Sequence, residues 1–113
     1  MANESSPQAL TLTDDNFNEQ VLQNKKPVLV DFWAPWCRPC QALVPVIDAL
    51  AQTAADKFVI GKLDVDQNAQ TSRTYGVQSI PTLIIFKNGQ EVDRMRGLQT
   101  KAALEEKLAA HVD

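Results

Sequence analysis

The sequence predicts an α/β domain, a central mixed sheet with helices packed on both faces. Three observations predict it. Helix-like and strand-like segments alternate along the chain from Leu10 onward. Val28–Trp33 and Thr82–Phe86 are apolar almost without interruption, as strands covered on both faces are. Asn88-Gly89 is a strong two-residue hairpin signal, and it is followed by an alternating run from Glu91 to Arg96. The size agrees: 113 residues, 44% of them hydrophobic and 22% charged, make one domain that needs no disulfide or metal to hold its core.

Each element has its own signal. Residues 1–8 read as a loose polar leader and residues 9–113 as the folded domain. Thr13-Asp14-Asp15-Asn16 is rich in helix-capping residues. Phe17, Val21 and Leu22 follow at helical spacing, which predicts a helix ending near Asn24. Pro27 leads into the strand Val28–Trp33. After the turn Ala34-Pro35-Trp36, residues Leu43, Val44, Ile47, Leu50, Ala51 and Ala54 form one apolar helical face, with Pro45 inside it and expected to kink it. Phe58–Val65 reads as the next strand and Asn68–Tyr75 as a short helix stopped by Gly76. Thr82–Phe86 is a third buried strand, and Glu91–Arg96 is the outer arm of the hairpin. Thr100 caps a last helix, with Leu104, Leu108 and Val112 stacked at i, i+4 and i+8. The order (β)α–β–α–β–α–β–β–α contains five strands and four helices. Its alternation predicts parallel strands joined by crossovers, with the hairpin adding an antiparallel edge. Such a sheet places its working site beyond the carboxyl ends of the parallel strands, where Trp36–Cys40 falls.

Composition narrows the function classes. A net charge of −3 argues against a nucleic-acid binder, which needs a concentrated basic face. No apolar run approaches the roughly 20 residues that span a bilayer. Met1–Gln8 lacks the basic-then-apolar pattern of a secretory signal, so a cytoplasmic location is expected. In a reducing compartment two cysteines point to reactivity rather than to structural staples.

Cys37-Arg38-Pro39-Cys40 carries the obvious chemistry. Two cysteines three apart on the first turn of a helix share a face, roughly 5–6 Å apart at Cβ, so a small adjustment interconverts dithiol and disulfide. Pro39 suits the first turn, where its missing amide is no loss. The unpaired amides there act as about half a positive charge and favour a thiolate. Cys37, at the helix start, is therefore expected to be the accessible attacking nucleophile, and Cys40, a turn deeper and partly covered, the resolving thiol. Half of a zinc site looks the same, but zinc needs four ligands, and the chain offers no third cysteine and only His111. An inert disulfide closing so small a loop restrains the unfolded chain little. No metal or cofactor is expected.

Asp31 interrupts the apolar strand, on the face of Leu29 and Trp33. Burial should make it hold a proton more tightly than a free aspartate, and Lys62 of the next strand is a candidate partner that moderates the rise. Placed under the cysteine pair, Asp31 is expected to accept the proton of Cys40, directly or through water. The alternative is an aspartate turned to a wet edge.

From Val28 to Cys40 the segment VLVDFWAPWCRPC closely resembles the active-site segment of the thioredoxin family. Lys62–Asn68, Tyr75-Gly76-Val77, Ile80–Leu83 and Phe86–Gly89 match the family in order, and the likeness runs from about residue 10 to residue 112. The resemblance implies the thioredoxin fold, reduction of disulfide-containing substrate proteins and recharging by a thioredoxin reductase. It places the nucleophile at Cys37, the resolving thiol at Cys40, the buried acid at Asp31 with Lys62 beside it, and a cis-proline at Pro81. It implies a substrate groove of Trp36, Ile80, Pro81 and the backbone around Gly97, flanked by Arg38 and Pro39, where an extended peptide pairs with the chain beside Pro81. A monomer is expected. Two residues depart from the family pattern, Arg38 in place of the usual glycine and Arg96 in place of an apolar residue. Arg38 should stabilise the Cys37 thiolate and make the protein a stronger oxidant, unless solvent screens it. An oxidase or isomerase, and a binding module that uses the apolar surface around Trp36, are the competing readings. His111, Asp14-Asp15, Glu105-Glu106, Asp64 and Asp66 read as solvated surface residues, and Phe17, Phe58 and Phe86 as core.

Overall fold

A computed structural model describes residues 9–54 and 56–112, and the leader expected at residues 1–8 lies outside them. Five strands form one sheet: β1 Leu10–Leu12, β2 Val28–Trp33, β3 Val59–Asp64, β4 Thr82–Lys87 and β5 Gln90–Arg96, in the order β1-β3-β2-β4-β5. Three α-helices accompany it, α1 Arg38–Thr53, α2 Ala69–Thr74 and α3 Lys101–Ala109. Alternation along the strands splits the core into two layers. Leu29, Leu83 and Ile85 face Leu43, Ile47 and Leu50 of α1 and Leu104 and Leu108 of α3. Val28, Val30, Phe32, Ile84 and Phe86 face the opposite way, against Phe17 and Val21. There the rings of Phe17, Tyr75 and Phe86 meet with centroids 5.0–5.7 Å apart.

Four expectations about the fold are corrected. First, β4 is antiparallel to β2, so the hairpin does not merely add one reversed edge strand. β3 leaves the sheet where Trp33 is paired with Asp64, and β4 re-enters beside Phe32, at the same end. The intervening α2 has six residues, about 9 Å of helix, too short to carry the chain back to the far end for a parallel return. Second, Asn18–Leu22 is π-helical, with the Gln23 amide donating to the Asn18 carbonyl at 2.9 Å. Apolar spacing does not separate this from an α-turn, because either geometry buries Phe17 and Val21 together. Third, Val112 lies beyond α3 and is exposed. Fourth, Asp14 is a tether rather than a surface charge. It accepts from the Thr71 amide at 2.9 Å, the Thr71 hydroxyl at 2.6 Å and the Gln70 amide at 3.3 Å, which anchors the start of α2. Burial raises its pKa, but the Thr71 and Gln70 hydrogen bonds, helped by the charge of Arg73, outweigh that and hold the carboxyl below its ordinary value.

Other local signals hold. Thr13 and Asn16 cap each other, amide to side chain, at 2.8 and 3.1 Å. The Thr100 hydroxyl caps α3 by accepting from the Ala103 amide at 3.1 Å. Asn88 and Gly89 sit at φ 55° and 79°, the left-handed pair that a tight hairpin needs. Among the described residues no helix is long and apolar enough to cross a membrane.

Candidate active site

β2 ends at Trp33 and the chain turns through Ala34–Trp36 into α1. Cys37 is the residue immediately before that helix, in extended conformation, and its Sγ accepts the Cys40 amide at 3.2 Å. Sulfur thus occupies the place where a serine or aspartate oxygen ordinarily satisfies an orphan amide of the first turn. Any negative charge on that sulfur also meets the positive end of a 16-residue helix. Arg38 and Pro39 are the first two helical residues, both exposed, and Cys40 comes next, on the inner side. Cys37 and Cys40 are joined by a disulfide with their Cα atoms 5.2 Å apart.

Cys37 is more covered than expected. It is 4% exposed and Cys40 1%, with both packed among Ala34, Trp33, Val65 and Ile80. Both are buried, and the Ile80 carbonyl oxygen lies 3.9 Å from Cys37 Sγ. Spacing along α1 locates the cysteines on one helix and says nothing of the loop that folds over them.

The Ile80–Pro81 peptide is cis. Pro81 is buried, and its carbonyl accepts the Gly97 amide at 2.9 Å. Gly97 has φ 81°, a conformation that suits glycine, so the end of β5 folds against the cis-proline turn. Beside Ile80 opens a cleft of about 250 Å³ lined by Trp36, Val65, Val77, Gln78 and Ser79 among others. Trp36 is 69% exposed. Its indole N–H donates to Asp66 Oδ2 at 2.8 Å, a contact across 30 residues that sequence reasoning missed by reading Asp66 as solvated. The position of Asp66 just past the end of β3 was the available signal, since strand ends collect at the site.

Asp31 is 2% exposed, and its Oδ1 accepts no hydrogen bond among the described residues. Burial pushes its pKa up to about 7, against the opposing charge of Lys62. Lys62 stands opposite Asp31 on β3 but does not close an ion pair with it. Its Nζ lies 4.9 Å from the centroid of the Trp33 ring instead. Asp31 shares the sheet face of Leu29, which α1 covers. His111 lies past the end of α3, its Nε2 3.6 Å from Asp93 Oδ2, well away from the cysteines in sequence and topology. No group of three His, Cys, Asp or Glu side chains among the described residues could hold a metal.

Comparison with known proteins agrees with this geometry. The thioredoxin family profile matches residues 8–110. Thioredoxin of Alicyclobacillus acidocaldarius is 51% identical over 100 residues, 88% of this chain and 94% of the relative. Thioredoxin 1 of a Nostoc species is 46% identical over 104 residues, 92% of this chain and 97% of the relative. Thioredoxin of Mycobacterium tuberculosis is 47% identical over 104 residues, 92% of this chain and 90% of the relative. With the profile running from the first strand of the sheet through the last helix, and identity near one-half over nine-tenths of the length, this chain belongs to the thioredoxin family.

Proposed function

We propose that this thiol–disulfide oxidoreductase reduces protein disulfides with Cys37 as nucleophile and Cys40 as resolving thiol. The carrying observation is the Cys37 sulfur seated as the cap of α1, on a hydrogen bond from the Cys40 amide. In the reduced protein that amide and the helix terminus stabilise a thiolate at Cys37. The thiolate attacks one sulfur of the substrate disulfide, a mixed disulfide forms, and the other substrate sulfur leaves as a thiolate that takes a proton from water. Cys40 then loses its proton to Asp31 and attacks Cys37 Sγ. The Cys37–Cys40 bond forms, the mixed disulfide breaks, and the second substrate thiolate leaves. Two electrons pass from the dithiol to the substrate, and a thioredoxin reductase restores them.

Asp31 suits the proton step because its raised pKa, about 7, keeps both protonation states populated near neutral pH. Lys62 acts on it through charge, at a distance. Trp36, Arg38, Pro39, Ile80, Pro81 and Gly97 form the proposed docking surface, with the substrate backbone pairing at Ile80.

Trapping tests the division of roles. Cys40→Ser, challenged with a disulfide-bridged protein, should accumulate a mixed disulfide through Cys37, whereas Cys37→Ser should form none. A mixed disulfide through Cys40 in the Cys37→Ser protein would reverse the assignment.

A further inference from the structure

We infer that the mouth of the cleft selects substrate proteins with acidic side chains beside the reactive disulfide, and that Arg38 and Arg96 are the specificity-determining residues. The inference rests on the oxidoreductase reading above and names its substrate class.

The cleft wall itself is indifferent to charge, being built from Trp36, Val65, Val77, Gln78, Ser79 and Ile80. Two arginines adjoin the residues that meet at the disulfide and the cis-proline. Arg38 directly follows Cys37, is exposed, and takes part in no ion pair among the described residues. Arg96 ends β5 opposite Thr82, next to the Gly97 amide that binds the Pro81 carbonyl, and is likewise exposed and without an ion pair among the described residues. Arg94, two residues earlier on the same strand face, shows the contrast. Its guanidinium is committed to Glu91 at 2.7 Å and to the Tyr75 carbonyl. Asp66, which follows Val65 of the cleft wall, accepts the Trp36 indole N–H at 2.8 Å. The sheet order puts β3 on one side of β2 and β4 with β5 on the other. By strand order, residues 38 and 96 lie from the centre toward the β5 side of the sheet and Asp66 on the β3 side.

The chain as a whole carries −3, so its long-range field repels acidic partners. At physiological salt, charges beyond about 8 Å are screened, and only groups on the rim act on a docked segment. An exposed guanidinium about 7 Å from a substrate carboxylate changes encounter about threefold in water before screening. The effect on a lysine is of opposite sign. Together, after screening, two such residues yield about a fivefold preference for an acidic over a basic flank.

The test uses the full chain, pre-reduced, and three otherwise identical disulfide-bridged peptides whose cysteines are flanked by Asp, Asn or Lys. The readout is the ratio of second-order rate constants within one protein, so a uniform change in thiolate reactivity or folded fraction cancels. Wild type should reduce the Asp peptide about fivefold faster than the Lys peptide at physiological salt, with the ratio larger at low salt and approaching one in 1 M NaCl. Arg38→Gln and Arg96→Gln should each lower the ratio about two- to threefold, and Arg38→Glu with Arg96→Glu should invert it. A wild-type ratio of one, or a ratio that survives the double substitution, overturns the inference while leaving the oxidoreductase reading intact. If wild type fails to reduce even the Asn peptide, that reading falls and this one with it.

Discussion

Asp31→Asn changes one buried group by a single protonatable oxygen, and its consequence for stability has a definite sign. In the unfolded chain Asp31 titrates at the ordinary value of 3.8, and in the native protein burial moves this to about 7. Between those values the native state holds a proton that the unfolded state has released, so stability falls as pH rises from about 4 to 7 and levels off above. At 1.36 kcal/mol per unit, a rise from 3.8 to about 7 corresponds to about 4 kcal/mol of destabilisation at alkaline pH, of which about 3 kcal/mol develops between pH 4 and pH 7. Asparagine cannot titrate. The oxidised Asp31→Asn protein should therefore gain on wild type by about 3 kcal/mol over that interval. Any pH-independent cost of burying the amide drops out of the comparison, as do the other carboxylates, which titrate in both proteins. Urea unfolding of the two oxidised proteins at pH 4, 5.5, 7 and 8.5 measures the difference. A difference that stays constant across the series would refute the burial argument and remove the physical basis for Asp31 as proton acceptor.

Three further perturbations test other contacts. Asp66→Ala releases the Trp36 indole from its 2.8 Å hydrogen bond, and should raise KM for a protein disulfide up to about fivefold with little change in kcat, as measured by steady-state reduction assays. Arg38→Gly removes a positive charge next to Cys37, and should make the protein more reducing by on the order of 10–20 mV in glutathione equilibration, since an exposed charge is largely screened. Equal potentials would assign Arg38 no role in redox poise. Asp14→Ala removes the acceptor of three hydrogen bonds that hold the start of α2. It should cost about 1–3 kcal/mol in chemical denaturation, with hydrogen exchange of the Thr71 amide accelerating more than that of β2.

Much of the fold was legible because its signals are local. The apolar run 28–33, the Asn88-Gly89 turn and the Thr100 cap each report the conformation of a few neighbouring residues, and each appears where expected. The direction of β4 was not legible. Alternating burial records that a segment lies inside a sheet, and is silent on the end from which the chain enters it. That depended on α2 being too short to carry the chain back. The hydrogen bond from Trp36 to Asp66 and the anchoring of α2 by Asp14 were hidden for a related reason. Each joins groups 30 or more residues apart, and an isolated aspartate reads the same whether solvated or engaged.

Two cysteines three residues apart at a strand-to-helix junction already specify bridging chemistry, since reach and helix-end polarity follow from spacing alone. Depth is another matter. The loop carrying Ile80 packs over Cys37 and leaves it 4% exposed. Lys62 settles over Trp33 instead of pairing with Asp31. Those outcomes belong to the folded molecule, because burial and long-range charge depend on which distant segments come together.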